Sequence, residues 1–361
     1  MIFENILENK KIILFLLIIG LVNAFFIGLI YQGHFYRGDT PSYVEAVQWL
    51  NGERLSTTSE HRILKPLSLV VPLFFEKIGL KAEYGLQFQS IIFYFLSIVL
   101  VFDLVFSLYN NKKQDILGVV LFLTAWPFLT NALAYLTDIA GWFFFLLTVW
   151  LLIRLHVLEK ISPLIFLWLG IIGGIGFLFK ESAIASLFFY FGYLVFVYKK
   201  SIKERVVLFS FCLSGFFIPV LISSFIVFIK TSYTFFDWYK ANWQQTLYYN
   251  FAEVILNGIL TFMLGWLFIF FGIWREWKEK NKQRIKWLLA LLLPSICWIF
   301  WSFPAARMMY IGFPLLVLLG SRGLIFSRKK PVLVFSLLFL YILLNFFLPS
   351  FLSYNELRML F

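Results

Sequence analysis

The sequence predicts an all-α polytopic membrane protein with about eleven transmembrane helices. Apolar runs of about 20 residues, long enough to cross roughly 30 Å of hydrocarbon, recur from one end of the chain to the other. Of 361 residues, 61% are hydrophobic and only 14% charged, against about a quarter charged in soluble domains. The Lys and Arg residues collect in alternate short loops, as the positive-inside rule asks of a multi-pass chain.

The runs fall at roughly 12–31, 84–108, 115–132, 137–153, 162–179, 182–198, 206–229, 254–274, 287–303, 308–326 and 331–349. The first is long for the core of a cleavable signal peptide. It ends in Leu29-Ile30-Tyr31 instead of small residues, so it reads as a retained anchor. A cytoplasmic N-terminus puts Lys10, Lys11, Lys112, Lys113, Lys199, Lys200 and the basic run Arg275–Lys286 on the inner side. The net charge of +12 then reports topology in a cell (plasma or inner) membrane, and no nucleic-acid partner is expected. Cys212 and Cys297 both lie in apolar runs and offer neither a disulfide framework nor zinc spacing. No repeat period and no inverted symmetry of the transporter kind is visible.

The outward segments are then the loop 32–83, turns near Asp138 and Lys180, the loop 230–253, the turn Phe303–Arg307 and a short tail. In the first loop, Thr40 followed by Pro41 reads as N-cap and first helical residue. Tyr43, Val47 and Leu50 recur at i, i+4 and i+7, and Gly52 supplies a stop. An amphipathic helix on the outer membrane surface is expected there. Pro66–Ile78 is a second interfacial candidate, with a membrane-dipping segment as the alternative. The aromatics Phe235, Phe236, Trp238, Tyr239, Trp243, Tyr248 and Tyr249 read as an interfacial belt, one or two of them suited to stacking on a sugar.

Ionisable groups at membrane depth cost several kcal/mol unless paired or wetted, so each needs a reason. With Thr40 in the cap position, Asp39 has no structural task and is the leading candidate for chemistry. Asp138, behind Thr137, is either a first-turn acid complementing the helix dipole or a second functional acid. Lys180 and Glu181 supply the polar content of a turn where Gly, Asn or Ser would be ordinary. Arg307 stands against the positive-inside trend, which suggests an anionic partner, and its fork suits phosphate. His61, Arg62 and Lys65 place three phosphate-binding candidates within five residues. Asp103 is expected to snorkel inward or pair with Lys112 or Lys113, and Arg275–Lys286 to be a solvated inner face near anionic lipid.

Taken in order, these residues resemble the GT-C membrane glycosyltransferases that use polyprenyl-phosphate sugars, the group of the protein O-mannosyltransferases and the lipid A aminoarabinose transferase. Gly38, Asp39, Tyr43, Ala46, Leu50 and Gly52 match the start of that group's first outer loop, and Lys65-Pro66 its basic-Pro step. Pro127 and Asp138 match a proline in the third span and an acid opening the fourth. Gly176, Leu178 and Lys180 match the element ending the fifth span, and Arg307, Tyr310 and Pro314 a late element. The agreement runs over residues 1–325, read as a GT-C-like catalytic module with outer loops 32–83 and 230–253. Residues 326–361 are read as a final helix and outer tail. Leu64 stands where the aminoarabinose branch has an acid that helps hold a metal. No cofactor is therefore certain, and a divalent cation is only an option.

The resemblance implies transfer of a sugar from a polyprenyl-phosphate donor to an acceptor hydroxyl on the outer face, with inversion. Asp39 is then the general base, with Asp138 orienting the acceptor or assisting. His61, Arg62, Lys65, Lys180, Glu181, Arg307, Tyr43 and Tyr310 are then the substrate-binding set, the cations stabilising the departing phosphate. The partners implied are membrane lipid, the donor, and a glycan or lipid-linked acceptor. A transporter or flippase for a polyprenyl-linked glycan is the alternative outside enzymology, and a repeat-unit polymerase the alternative within it.

Overall fold

The computed structural model describes residues 8–31, 35–36, 38–53, 59–246, 251–296, 306–325 and 331–351. Among them every regular element is helical. In chain order these are α1 (Lys10–Tyr31), α2 (Thr40–Leu50), α3 (Glu60–Ile63), α4 (Leu67–Lys77), α5 (Ala82–Tyr109), α6 (Lys112–Thr124) and α7 (Trp126–Asn131). There follow α8 (Asp138–Val157), α9 (Pro163–Phe179), α10 (Glu181–Val197), α11 (Ile202–Thr231), α12 (Phe235–Thr246), α13 (Phe251–Phe262) and α14 (Gly265–Glu279). The last are α15 (Lys282–Leu292), α16 (Arg307–Ile325) and α17 (Pro331–Phe351).

Five of these, α1, α5, α8, α11 and α16, are long and apolar enough to cross a membrane, and a sixth is added if α13 and α14 form one span. The expected run 254–274 is not straight: α13 and α14 meet at 82°, with Met263 in the left-handed region at φ 45°. The run 115–132 is likewise broken, since Ala125 is extended between α6 and α7, and Pro127 sits in the first turn of α7. α9 and α10 are shorter apolar helices. Part of the expected run 287–303, the turn residues 303–305, Cys297, Tyr248, Tyr249 and the end of the tail lie outside the described residues.

α9 and α11 pack almost backbone to backbone. A Cβ on Gly170 or Gly174 would collide with the carbonyl of Cys212 or Phe216, and one on Gly215 with that of Leu167. Small residues at such a crossing let helices gain van der Waals contact in a lipid solvent that gives no hydrophobic drive. α17 is tied to the remaining bundle: Asn345 Oδ1 accepts from Trp126 N at 2.7 Å, and Tyr31 OH donates to Phe346 O at 2.7 Å.

At the end of α8 away from Asp138, two expectations are corrected. Asp103 neither snorkels nor pairs with Lys112 or Lys113. It is fully buried, accepts from Trp150 Nε1 at 2.6 Å and pairs with Arg154 at 2.5 Å. The run Arg275–Lys286 is only partly a solvated face. Glu276 is buried and takes Arg284 at 3.1 Å and Arg322 at 3.0 Å, while Glu279 takes Arg284 and Arg322.

Candidate functional site

The start of α2 differs from the expected cap. Asp39, not Thr40, occupies the N-cap position, but its side chain makes no capping bond. Gly38, at φ 53°, turns the chain into it. The Thr40 hydroxyl turns instead to the carbonyl of Tyr135 at 3.1 Å, joining α2 to the approach to α8. Gly52, at φ 82°, ends the helix as expected. Glu45 accepts from Ser59 at 2.8 Å and so ties α2 to the segment leading into α3. α4, with 11 residues, is about 16 Å long, well short of a crossing.

Relieved of capping, Asp39 is gripped on both oxygens. Arg62 Nη2 lies 2.8 Å from Oδ1, and Arg307 Nη2, from 268 residues away, 3.2 Å from Oδ2. Arg307 continues to Asp138 Oδ2 at 3.5 Å, and Lys180 sits 3.6 Å from Asp138 Oδ1. Lys180 also faces Glu181 at 3.8 Å, and Glu181 pairs with Lys65 at 2.5 Å. Residues from five separate parts of the chain thus form one continuous chain of charges, four cations with three carboxylates.

The cluster has an open end and a closed end. Asp39 and Arg307 side chains are 27% and 24% exposed, whereas Lys65, Lys180 and Asp138 are each 1% exposed. Among the described residues of the cluster, the Asp39 and Arg307 end is the most accessible to a ligand. Burial alone would raise the Asp39 carboxyl, but Lys180, Arg62 and Arg307 outweigh it and hold it down at about 2.

Tyr43 is also buried. Its hydroxyl lies 2.6 Å from Thr137 Oγ1 and receives Arg62 Nη1 at 3.4 Å, while its ring lies 4.5 Å from the Arg62 guanidinium. His61 is not part of the ion chain. Burial, together with Arg62 and Lys65 close by, pushes its imidazole down to about 4, so it is neutral at pH 7 and offers phosphate no charge.

Lys65, Lys180 and Glu181 lie at the closed end, 1%, 1% and 7% exposed, and of these Lys180 and Glu181 act on the Asp39 carboxyl. Tyr310 is absent from the cluster. It is wholly buried against Phe122, Phe313 and Trp142, with its hydroxyl donating to Phe122 O at 3.0 Å, and is a core residue.

Three further side chains take part. Ser42 Oγ accepts from Arg62 Nε at 2.8 Å and donates to the Asp39 carbonyl at 2.7 Å. Thr137 holds Tyr43, and Trp238 of α12 lies 5.0 Å from Lys65 Nζ across its ring. Trp238 was included only as one of a belt of aromatics. Ser42 carried no signal and Thr137 read only as a helix cap, because a hydroxyl becomes informative only once its partner is known.

Among the described residues no three His, Cys, Asp or Glu side chains are grouped to hold a metal. Asp39, Asp138 and Glu181 already face cations, and Leu64, where an acid was sought, is fully buried among Tyr43, Val47 and Leu69.

Residues 67–228, from the start of α4 nearly to the end of α11, match the family model described as dolichyl-phosphate-mannose-protein mannosyltransferase. Asp138, Lys180 and Glu181 lie inside the match, Asp39, Arg62 and Lys65 just before it, and Arg307 beyond it. No curated protein and no solved structure matches the chain. With its apolar helices, the match supports a multi-pass membrane glycosyltransferase that draws on a polyprenyl-phosphate sugar, and over residues 67–228 the resemblance to the GT-C family of dolichyl-phosphate-mannose-protein mannosyltransferases is shown.

Proposed function

We propose that the protein transfers a sugar from a polyprenyl phosphate to an acceptor hydroxyl on the outer face of the cell membrane, with inversion at the anomeric carbon. The observation that carries this reading is the meeting of Asp39 and Arg307 at the open end of a buried cluster that holds one more cation than carboxylates. A surplus positive charge facing an opening is suited to an anion, and guanidinium forks are suited to phosphate.

In this reading Asp39 accepts the acceptor's hydroxyl proton, and the freed oxygen attacks the anomeric carbon. The bond from that carbon to the phosphate oxygen breaks, and its electron pair leaves on the phosphate. Arg307 and Arg62 meet the growing charge directly. Lys180 and Lys65, fixed and dry behind them, contribute through the field, which counts for more where water is excluded. Asp138 positions Arg307 and, through it, the phosphate. The N-terminus lies in the cytoplasm, and a glycan or lipid-linked acceptor enters beside loops 32–83 and 230–253.

Asp39→Asn, in folded protein, is expected to lower transfer about 10²–10⁴-fold. Arg307→Ala is expected to lower turnover about 10²–10³-fold, beyond any effect on folding. Near-normal transfer by either variant refutes the role given to that residue.

A further inference from the structure

We propose that in the resting protein Asp39 occupies the position the donor phosphate takes, so that donor binding itself releases the base. This rests on the function proposed above. Both carboxylate oxygens are committed, Oδ1 to Arg62 at 2.8 Å and Oδ2 to Arg307 at 3.2 Å. A carboxylate forked on both sides by guanidiniums is a poor acceptor for a hydroxyl proton, because its anionic form is already the stabilised one. Carboxylate and phosphate offer a guanidinium the same pair of oxygens, so one can replace the other on the same donors.

Each arginine has a second seat that survives such an exchange. Arg307 Nη1 keeps Asp138 at 3.5 Å. Arg62 keeps the Ser42 hydroxyl at 2.8 Å and the Tyr43 ring at 4.5 Å. Asp39 keeps its main-chain link to Ser42 at 2.7 Å, so its carboxylate needs only a side-chain rotation to leave the fork. Lys65 and Lys180, 1% exposed and paired behind, stay where they are.

The charges follow the reaction. At rest four cations face three carboxylates. A phosphodiester donor brings one negative charge, so four then face four. After transfer Asp39 holds the acceptor's proton and is neutral, while the released phosphate monoester approaches two negative charges. Four again face about four, so the buried cluster is close to balance in both complexes and unbalanced only when no donor is bound. An acceptor arriving first meets a base that is still engaged.

The test is binding of polyprenyl phosphate, in detergent, to purified wild-type protein and to folded Asp39→Asn. Removing the internal competitor is expected to tighten binding roughly tenfold while transfer is lost. Binding to wild type with equal or weaker binding to Asp39→Asn overturns the proposal and leaves the phosphate site standing. Failure of both proteins to bind overturns the phosphate site itself. Carbodiimide labelling of Asp39 in the unaltered chain is a second readout. Polyprenyl phosphate is expected to raise the labelling, and unchanged or reduced labelling contradicts the exchange.

Discussion

Lys65 and Glu181 show what a buried charge costs when its partner is removed. Both are shut away from solvent, and each is the other's nearest counter-charge. Lys65→Met is therefore expected to destabilise the fold by about 3–5 kcal/mol, because Glu181 keeps its charge with its closest counter-charge gone and the more distant Lys180 and Arg62 left to face it. Lys65→Met with Glu181→Leu is expected to restore most of that loss, since an apolar pair of similar volume replaces the ions. Unfolding in detergent measures both, and activity returning with stability would contradict a field role for the pair.

His61 adds a pH dependence of definite sign. Its imidazole is held at about 4 in the fold, against 6.5 when free. Its contribution is full above pH 6.5 and is lost as pH falls through about 4, because the unfolded chain binds the proton first. The expected loss is of the order of 1 kcal/mol, reduced by the partial exposure of His61. Thermal unfolding of wild type and His61→Gln across this range checks it, and the variant should lack this share of the acid slope. Asp39, held at about 2, adds loss only below the free value of 3.8 and down through 2.

At the scale of elements, the α9–α11 crossing is the least forgiving contact. Gly174→Leu places side-chain atoms where the Phe216 carbonyl already lies, so the helices must separate. A loss of at least about 2 kcal/mol, or failure to accumulate folded protein, is expected. Gly28 has open space around a would-be Cβ, and Gly28→Ala is the neutral comparison. The bend between α13 and α14 has a backbone reason in Met263, whose φ of 45° suits glycine better than methionine. Its sequence, "TFMLGWLF", is uninterrupted in hydrophobicity, so the bend was not legible there. The same holds for Ala125. Apolar runs report burial in lipid or protein and do not say whether one helix or two carries it.

For the whole molecule, the two ends of α8 fix the layout. Asp138 and His156 are 18 residues apart on one helix, about 27 Å, so the ion cluster and the basic segments lie roughly one hydrocarbon thickness apart. An impermeant maleimide should label Glu53→Cys in intact cells and label Lys199→Cys only after permeabilisation. The reverse pattern contradicts the cytoplasmic N-terminus.

Much of this arrangement was legible in the chain. Asp39, Arg62, Lys65, Asp138, Lys180 and Arg307 each stood out because a charge at membrane depth needs a partner. Which partner was not legible, since Asp39 and Arg307 are 268 residues apart and meet only through the fold. For the same reason Asp103 was matched to lysines near in sequence instead of to Arg154, 51 residues on. Burial was the other gap. Tyr310 and Arg307 sit three residues apart on one helix, yet one is core and the other reaches the open end.

The central claim, that the cluster serves sugar transfer from a polyprenyl phosphate, is tested most directly by incubating purified, folded protein with a panel of labelled polyprenyl-phosphate sugars and measuring released polyprenyl phosphate. Release with at least one donor, abolished in Asp39→Asn, is the expected result. No release from any donor by protein shown to be folded contradicts the claim and favours a carrier of lipid-linked glycans.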